Sequence, residues 1–475
     1  MKKAVLTLFA ALLILGAQAG IKLPALISDN MVLQRRAAAN LWGWASPGAK
    51  VTVKCSWNKK SYTAQASGLG SWKIAVATSE AGGPYSIEFS EAGSEKVTVK
   101  DVYIGEVWIC SGQSNMGHMM KGMKDQPVDN SKELIAESGK YNIRVFMLAH
   151  IDSQTPADDC QGKWLKSDPQ NTPEFSATAY LSALQMYKRL GVPMGMVVSC
   201  WGGSRIEAWM APETIAEVGG VDVEALNSSK SIQRHTSLLY NGMILPIKNY
   251  TPRGFIWFQI AANMDSYRNY GDLLAAMVAS WRELWGEKDK LPFINIQGPV
   301  YPWGKKPDGR GLPLIVEKQF EARNVIPDYY VAVSSDIGGT ATPHFPQKGV
   351  VGERVALLAL EHVYGVKGLH ADAPDFGSVT FGAGKATVAF TNAGDGLVCK
   401  GDRVLAFELA GADRKFYPAE AAIINGSNVV EVSSKNVPSP VALRYAFRNY
   451  CLVSLYNKYG QTPRSYRTDK WDDAK

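Results

Sequence analysis

None of the six cysteines (Cys55, Cys110, Cys160, Cys200, Cys399, Cys451) stands in a C-x-x-C pair, which argues against a zinc ribbon or a thioredoxin-like redox site. Most sit inside apolar runs, as Cys110 and Cys200 do, and are expected to be buried free thiols. Basic clusters interleaved with aromatics are missing, so the net charge of +7 is no nucleic-acid footprint. Low-complexity tracts are missing too. Beyond residues 4–15 no stretch is apolar over the roughly 20 residues that a membrane-spanning helix needs. The sequence also lacks the G-x-S-x-G elbow, which sets it apart from ordinary α/β-hydrolases.

What is present begins with Met1-Lys2-Lys3, an apolar run over 4–15 and Ala17-Gln18-Ala19. Charge, apolar core and small residues in that order are the pattern of a cleavable secretory signal, so an exported, periplasmic or secreted product cut near Ala19 is expected. Without Lys2 and Lys3 the balance is 49 basic against 44 acidic residues, or +5, spread along the chain. The length of 475 residues, 46% hydrophobic and 20% charged, suits two or three cores.

Three rhythms follow one another. Over 20–100, short alternating runs (39–44, 49–57, 61–66, 71–77, 85–89) are separated by Ser46-Pro47-Gly48, Gly68-Leu69-Gly70 and Gly82-Gly83-Pro84, which predicts an antiparallel β-sandwich. Over 101–370, apolar runs (102–110, 142–148, 194–200, 254–259, 291–296, 329–333) alternate with amphipathic stretches (176–190, 270–285, 312–325, 350–364), several of them closed by glycine. Strands apolar throughout, alternating with helices, predict an α/β fold with a parallel sheet covered on both faces. From 371 to 475 β-type alternation returns (378–381, 385–390, 404–409, 441–445), and a terminal β-region is expected.

In such a sheet ligands sit beyond the carboxyl ends of the strands. The first strand there ends in Cys110-Ser111-Gly112-Gln113-Ser114-Asn115-Met116, which makes Ser114 the candidate nucleophile, with Gln113 as a further candidate beside it. A serine hydroxyl needs a base within hydrogen-bond reach and donors for the oxyanion. The third strand runs into Trp201-Gly202-Gly203, where a backbone amide of Gly203 or Gly202 is a candidate oxyanion donor. The fourth runs into Gln259-Ile260-Ala261-Ala262-Asn263, whose Asn263 amide is a second candidate. Thr342-Pro343-His344 precedes the last helix and offers His344 as the general base. Each feature alone is common in turns and caps; four on the ends of successive strands of one sheet point to a site.

His118, close to Ser114 in sequence, reads as a neighbour of the site, and His150, His235, His362 and His370 show no metal-ligand spacing. Trp201, Trp209, Trp257 and Trp303 offer flat faces on which a ligand could stack, although aromatics near strand ends are more often core.

Taken together, the chain resembles the sialate O-acetylesterase family of SGNH hydrolases. The likeness is carried by Leu23-Pro24 with Ser28-Asp29-Asn30-Met31-Val32-Leu33-Gln34, by Gly105-Glu106-Val107-Trp108 leading into Gly112-Gln113-Ser114-Asn115-Met116, and by Trp201-Gly202-Gly203 with Glu207-Ala208-Trp209. It continues through Leu239-Tyr240-Asn241-Gly242-Met243-Ile244, Val351-Gly352-Glu353-Arg354, Tyr456-Asn457 and Arg467-Thr468-Asp469. The resemblance implies a flavodoxin-like, three-layer hydrolase part (101–370) flanked by N-terminal and C-terminal β-sandwich regions. It also implies hydrolysis of O-acetyl esters on sialic acids or related glycans, without metal or organic cofactor. Ser114 then matches the nucleophile, His344 the base, and Gly203 (or Gly202) and Asn263, with the Ser114 amide, the oxyanion hole.

Two departures stand out. Relatives usually carry Asp two or three residues before the histidine, where this chain has Thr342 and Ala341; Asp336 is the upstream candidate to replace it. The segment Ile260-Ala261-Ala262 replaces a glycine followed by small or polar residues. These departures keep open two alternatives to a sialate esterase: a catalytically impaired glycan-binding relative, and an acetylesterase of plant polysaccharide such as xylan or pectin. Specificity is expected to lie in loops such as 119–132 and 227–234. The expected partner is an acetylated sugar or glycan, with no nucleic acid and no membrane insertion after signal cleavage; the oligomeric state is open.

Overall fold

The computed structural model describes residues 20–287, 290–382 and 384–471. The expected secretory signal, 1–19, lies outside the described residues. Among the described residues no helix is long and apolar enough to cross a membrane.

The first strands are β1 (Val32–Gln34), β2 (Ala38–Trp44), β3 (Lys50–Cys55), β4 (Ser61–Gln65), β5 (Ser71–Ala77), β6 (Gly82–Ser90) and β7 (Val97–Gly112). Their period-two burial, clearest in β5 where Trp72, Ile74 and Val76 are buried and their neighbours exposed, follows from side chains alternating across a pleated strand. β2 pairs with β5, and β3 pairs with β4 and β6, all antiparallel. Trp72 packs on Phe89 of β6 with ring centroids 5.8 Å apart, joining the two sets of strands in one core.

β7 belongs to two sheets at once. Its first half pairs with β6 and β1, and its second half with β10 (Met194–Cys200) and β11 (Gly254–Phe258). The change of rhythm read at Asp101 therefore falls inside a single 16-residue strand. Buried Glu106 pins this strand to the segments around it, accepting hydrogen bonds from Arg35, Gln34 and Arg253.

The central sheet adds β8 (Ile143–Met147), β9 (Trp164–Lys166), β12 (Phe293–Ile296) and β13 (Tyr329–Ala332), in the order β13-β12-β11-β7-β10-β8-β9. All neighbours are parallel except the edge pair β8–β9. The helices are α1 (Ser114–Gly117), α2 (Ser131–Ala136), α3 (Ala177–Leu190), α4 (Pro212–Val218), α5 (Val223–Asn227), α6 (Tyr270–Leu284), α7 (Gly311–Glu321) and α8 (Lys348–Leu358). Alternate strand residues point to opposite layers. Val107, Ile109, Phe255 and Trp257 meet α6 and α7, while Trp108, Cys110, Val198 and Ile256 meet α3 and α8. Each such buried aliphatic or aromatic side chain contributes about 1.5–3 kcal/mol relative to exposure. α3 shows how the ends are set: Ser176 Oγ accepts from the Ala179 amide at 3.0 Å, and Gly191, at φ +66°, closes the last turn.

The layers fit the expected α/β architecture, but the strand order departs from the flavodoxin pattern, 2-1-3-4-5. Counted from β7, the parallel strands run 2-3-1-4-5-6. The outer edge of β8 is taken by β9, so the crossover through α3 returns β10 to the inner edge, next to β7.

Past residue 371 two four-stranded antiparallel sheets share a third core around Val388, Phe390, Leu409, Val430 and Leu443. The strand expected at 404–409 is instead Phe407–Ala410, because Ala406 takes a positive φ of 72° and breaks the extended run. All six cysteines are free, four of them buried.

Candidate active site

β7, β10 and β11 are neighbours, so the loops leaving their carboxyl ends open on one edge of the sheet, at the point where the chain switches from one side of β7 to the other. β7 ends on Gly112 at φ +131°, where an added Cβ would stand 2.3 Å from the Phe258 carbonyl oxygen. Only glycine fits this close approach, and it lets the chain turn at once into α1, whose first residue is Ser114. The Gln113 amide donates to the Phe258 carbonyl at 2.9 Å, and the Gln113 carbonyl accepts from Met116 and Gly117. Gln113 thus holds the turn and leaves Ser114 half-exposed at its tip.

His344, 230 positions away, reaches the same tip. Its Nε2 lies 2.7 Å from Ser114 Oγ. Its Nδ1 lies 2.8 Å from Gln126 Oε1. An amide oxygen only accepts, so Nδ1 carries the proton and Nε2 presents its lone pair to the serine hydroxyl. The Gln126 backbone is fixed in turn, since its carbonyl accepts from the Met123 amide and meets His118 Nε2 at 3.1 Å. Thr342, two residues before His344, uses its hydroxyl to accept from the His344 amide at 3.1 Å.

Asp336 has another task. Both of its carboxylate oxygens are held by Arg354, at 2.7 and 2.8 Å, and both nitrogens of His344 are already engaged, so Asp336 does not orient the imidazole. His118 is fully buried with its ring 5.8 Å from that of His344; burial, then the charge of Lys348, pull its pKa down to about 4. His344 is likewise held below the ordinary imidazole value, by burial first and by Lys348 second.

On the β10 side, Gly202 comes so close to Ser114 that an added Cβ would lie 3.3 Å from Ser114 Cβ. Among the described residues neither the Gly202 nor the Gly203 amide donates a hydrogen bond within the protein. Asn263 lies behind this turn with no accessible surface. Its Nδ2 donates to Glu207 Oε2 at 2.9 Å, and its Oδ1 accepts from Gln259 Nε2 at 2.8 Å and the Ile206 amide at 3.0 Å. Gln259 also donates to the Ser204 carbonyl at 3.1 Å. Asn263 therefore stitches the β10 loop to the β11 loop. Ile260 is itself buried, with its side chain packed toward Gly298 and away from solvent.

Both loops expected to govern specificity border the site. Gln126 belongs to the first, and in the second Arg234 donates to the Gly203 carbonyl at 3.3 Å. Trp209 and Trp257 are core, whereas half-buried Trp201 stacks on His150 at 4.4 Å. Gln126 and Lys348 are the site residues that sequence reasoning missed; neither sits in a motif, and the fold brings Gln126 to His344 across 218 positions, whereas Lys348 begins the helix just after it.

The sequence model of the family described as carbohydrate esterase, sialic acid-specific acetylesterase, matches residues 104–346, from β7 to just past His344. The chain belongs to this family. The esterase is 26% identical over 473 residues to sialate O-acetylesterase of Homo sapiens, covering 92% of this chain and 89% of that protein. With sialate O-acetylesterase of Mus musculus it shares 28% over 419 residues, 76% of each chain. Its fold is similar to that of a carbohydrate acetylesterase from Xanthomonas citri: TM-score 0.86, 33% identity, covering 95% of this chain and all of that one. The esterase thus has a mixed α/β fold with a central sheet, as that carbohydrate acetylesterase does.

Proposed function

We propose that this chain is an exported esterase that removes O-acetyl groups from sialic acid or a related glycan, with Ser114 as nucleophile and His344 as general base. The observation that carries the reading is the continuous chain Ser114 Oγ, His344 Nε2, His344 Nδ1, Gln126 Oε1, with contacts of 2.7 and 2.8 Å. His344 Nε2 takes the serine proton as Oγ attacks the acetyl carbonyl carbon. The tetrahedral oxyanion is held by backbone amides from Ser114 and from Gly202 or Gly203, which have no competing acceptor among the described residues. The imidazolium then gives its proton to the leaving sugar oxygen, and water, activated by the same nitrogen, releases acetate and restores Ser114.

The absent Asp motivated a non-hydrolytic alternative; Gln126 supplies the acceptor that fixes the imidazole tautomer, which favours turnover. Export rests on the charged, apolar and small-residue order of 1–19, and the β-structure of 20–100 and 371–475 is read as accessory to the hydrolase part, 101–370. The test is acetate release across acetylated sialic acid, xylan and pectin, with p-nitrophenyl acetate as a generic ester. Ser114→Ala should abolish release and fluorophosphonate labelling while leaving the melting transition in place. A fully active Ser114→Ala enzyme would overturn the assignment.

A further inference from the structure

Lys348 is the first residue of α8 and has no accessible surface. Among the described residues no carboxylate pairs with it; its Nζ lies over the Phe345 ring, 3.8 Å from the centroid, and 5.8 Å from that of Phe258. A buried cation without a counter-ion is costly, and the amino end of a helix, with its own positive pole, is the wrong end for one. Burial pulls its pKa well below the ordinary lysine range. Stability does not account for such a placement.

The polar partner of Lys348 Nζ is Asn115 Oδ1. Asn115 follows Ser114 directly. Its other amide atom, Nδ2, donates at 3.2 Å to the carbonyl of Pro343, which directly precedes His344. One buried amide thus spans the two loops that carry the nucleophile and the base. The ammonium can only donate and a carbonyl can only accept, so Lys348, while protonated, dictates which way this amide faces. With the ammonium in place, the oxygen is drawn to Nζ and the NH₂ is left for Pro343. With an apolar side chain there, the oxygen would lose its partner and the tie to the His344 loop its orientation.

We propose that Lys348 is a positioning residue for ester hydrolysis, acting through Asn115 to hold Ser114 and His344 at hydrogen-bonding distance. This rests on the reading of Ser114 and His344 as nucleophile and base. The titratable groups around His344 are Lys348, from the helix that follows it, and His118, from the segment after Ser114; the other partners, Ser114 and Gln126, are neutral. Lys348, while protonated, also opposes protonation of His344, which gives a readout that a mere packing role would not move.

The experiment compares the parent with Lys348→Met, Lys348→Gln, Asn115→Ala and the Lys348→Met/Asn115→Ala pair, on p-nitrophenyl acetate and an acetylated sugar, over pH 4–9. Lys348→Met is expected to lower kcat about 10- to 100-fold, the scale of a 1 Å misplacement, with KM within about twofold. Its acid limb of kcat/KM should move up toward the ordinary imidazole value. Lys348→Gln keeps an N–H for Asn115 and should recover most of kcat while the limb stays moved. The double variant should lose no more than the worse single one, because both break the same tie. A Lys348→Met enzyme with kcat within twofold of the parent overturns the proposal, as does a loss that leaves the acid limb in place and adds to that of Asn115→Ala. If methionine prevents folding, Asn115→Asp, which keeps the acceptor for Lys348 and lacks the donor to Pro343, carries the test, and a parent-like kcat there overturns it. Ser114→Ala run in parallel separates the failures: if it stays active the dyad reading falls, and if it is dead while Lys348→Met runs at the parent rate only the Lys348 proposal falls.

Discussion

The Nδ1 nitrogen of His344 meets the side-chain oxygen of Gln126 at 2.8 Å, the position a carboxylate occupies in a Ser-His-Asp triad. A neutral amide oxygen fixes the tautomer as a carboxylate does, but it adds no negative charge to steady the imidazolium that the proposed proton transfer from Ser114 would form. The site therefore relies on alignment more than on charge.

Removing that oxygen should be costly to turnover. Gln126→Ala is expected to lower kcat about 10- to 100-fold through loss of imidazole alignment, with little change in melting temperature, since Gln126 is only half-buried. Gln126→Glu should restore turnover and raise the pH at which activity falls off, because an anion beside Nδ1 favours the charged ring. Steady-state kinetics on p-nitrophenyl acetate measure both; an Ala variant as fast as the parent would show that the Gln126 contact is incidental.

The acid side of the pH profile follows from the environment of His344. The base must be neutral, and burial followed by the Lys348 charge lowers its pKa from the ordinary value near 6.5. Activity should therefore persist below pH 6.5 and fall only as pH drops through the lowered value. His118, at about 4, stays neutral through that range and adds no second limb above pH 5. A kcat/KM profile with its acid midpoint at or above 6.5 would contradict the burial argument.

Asn263 carries a prediction about stability. Asn263→Ala would leave the Ile206 amide and one Gln259 N–H without partners in the buried interior, and would leave Glu207 Oε2 only its ion pair with Arg205 at 3.5 Å. Each group left without a partner costs about 1–3 kcal/mol, so urea unfolding should show a loss of at least about 2 kcal/mol. Turnover should fall as well, as the Gly202–Gly203 turn loses its support. A loss under about 1 kcal/mol would mean that the network relaxes or takes in water.

Much of this architecture can be read from patterns of apolar residues. The run at 194–200 is β10 to the residue, and the helices expected at 176–190 and 270–285 are α3 and α6 with their ends shifted by one residue. The convergence of Ser114 and His344 was legible because each follows a strand of the same sheet, and parallel strands deliver their following loops to one edge. Strand order was not legible, since it depends on β9 occupying the edge of β8. Gln126 was invisible for a related reason: its partner is 218 positions away, and a glutamine in an exposed-looking loop carries no periodic signal. The bracing contacts of Asn263 were not legible, because a polar residue past a strand end looks the same in sequence whether it faces the opening or braces a loop from behind.

The strand Val97–Gly112 joins the amino-terminal sheet to the central parallel sheet, and its last residue is two positions from Ser114. The amino-terminal β-structure is thus no detachable module. A graft or truncation made at 100/101 would sever the beam on which the reactive hydroxyl is mounted, so exchange of this region between related esterases is feasible only if the recipient keeps the entire strand together with the β1 and β6 edges that clasp it.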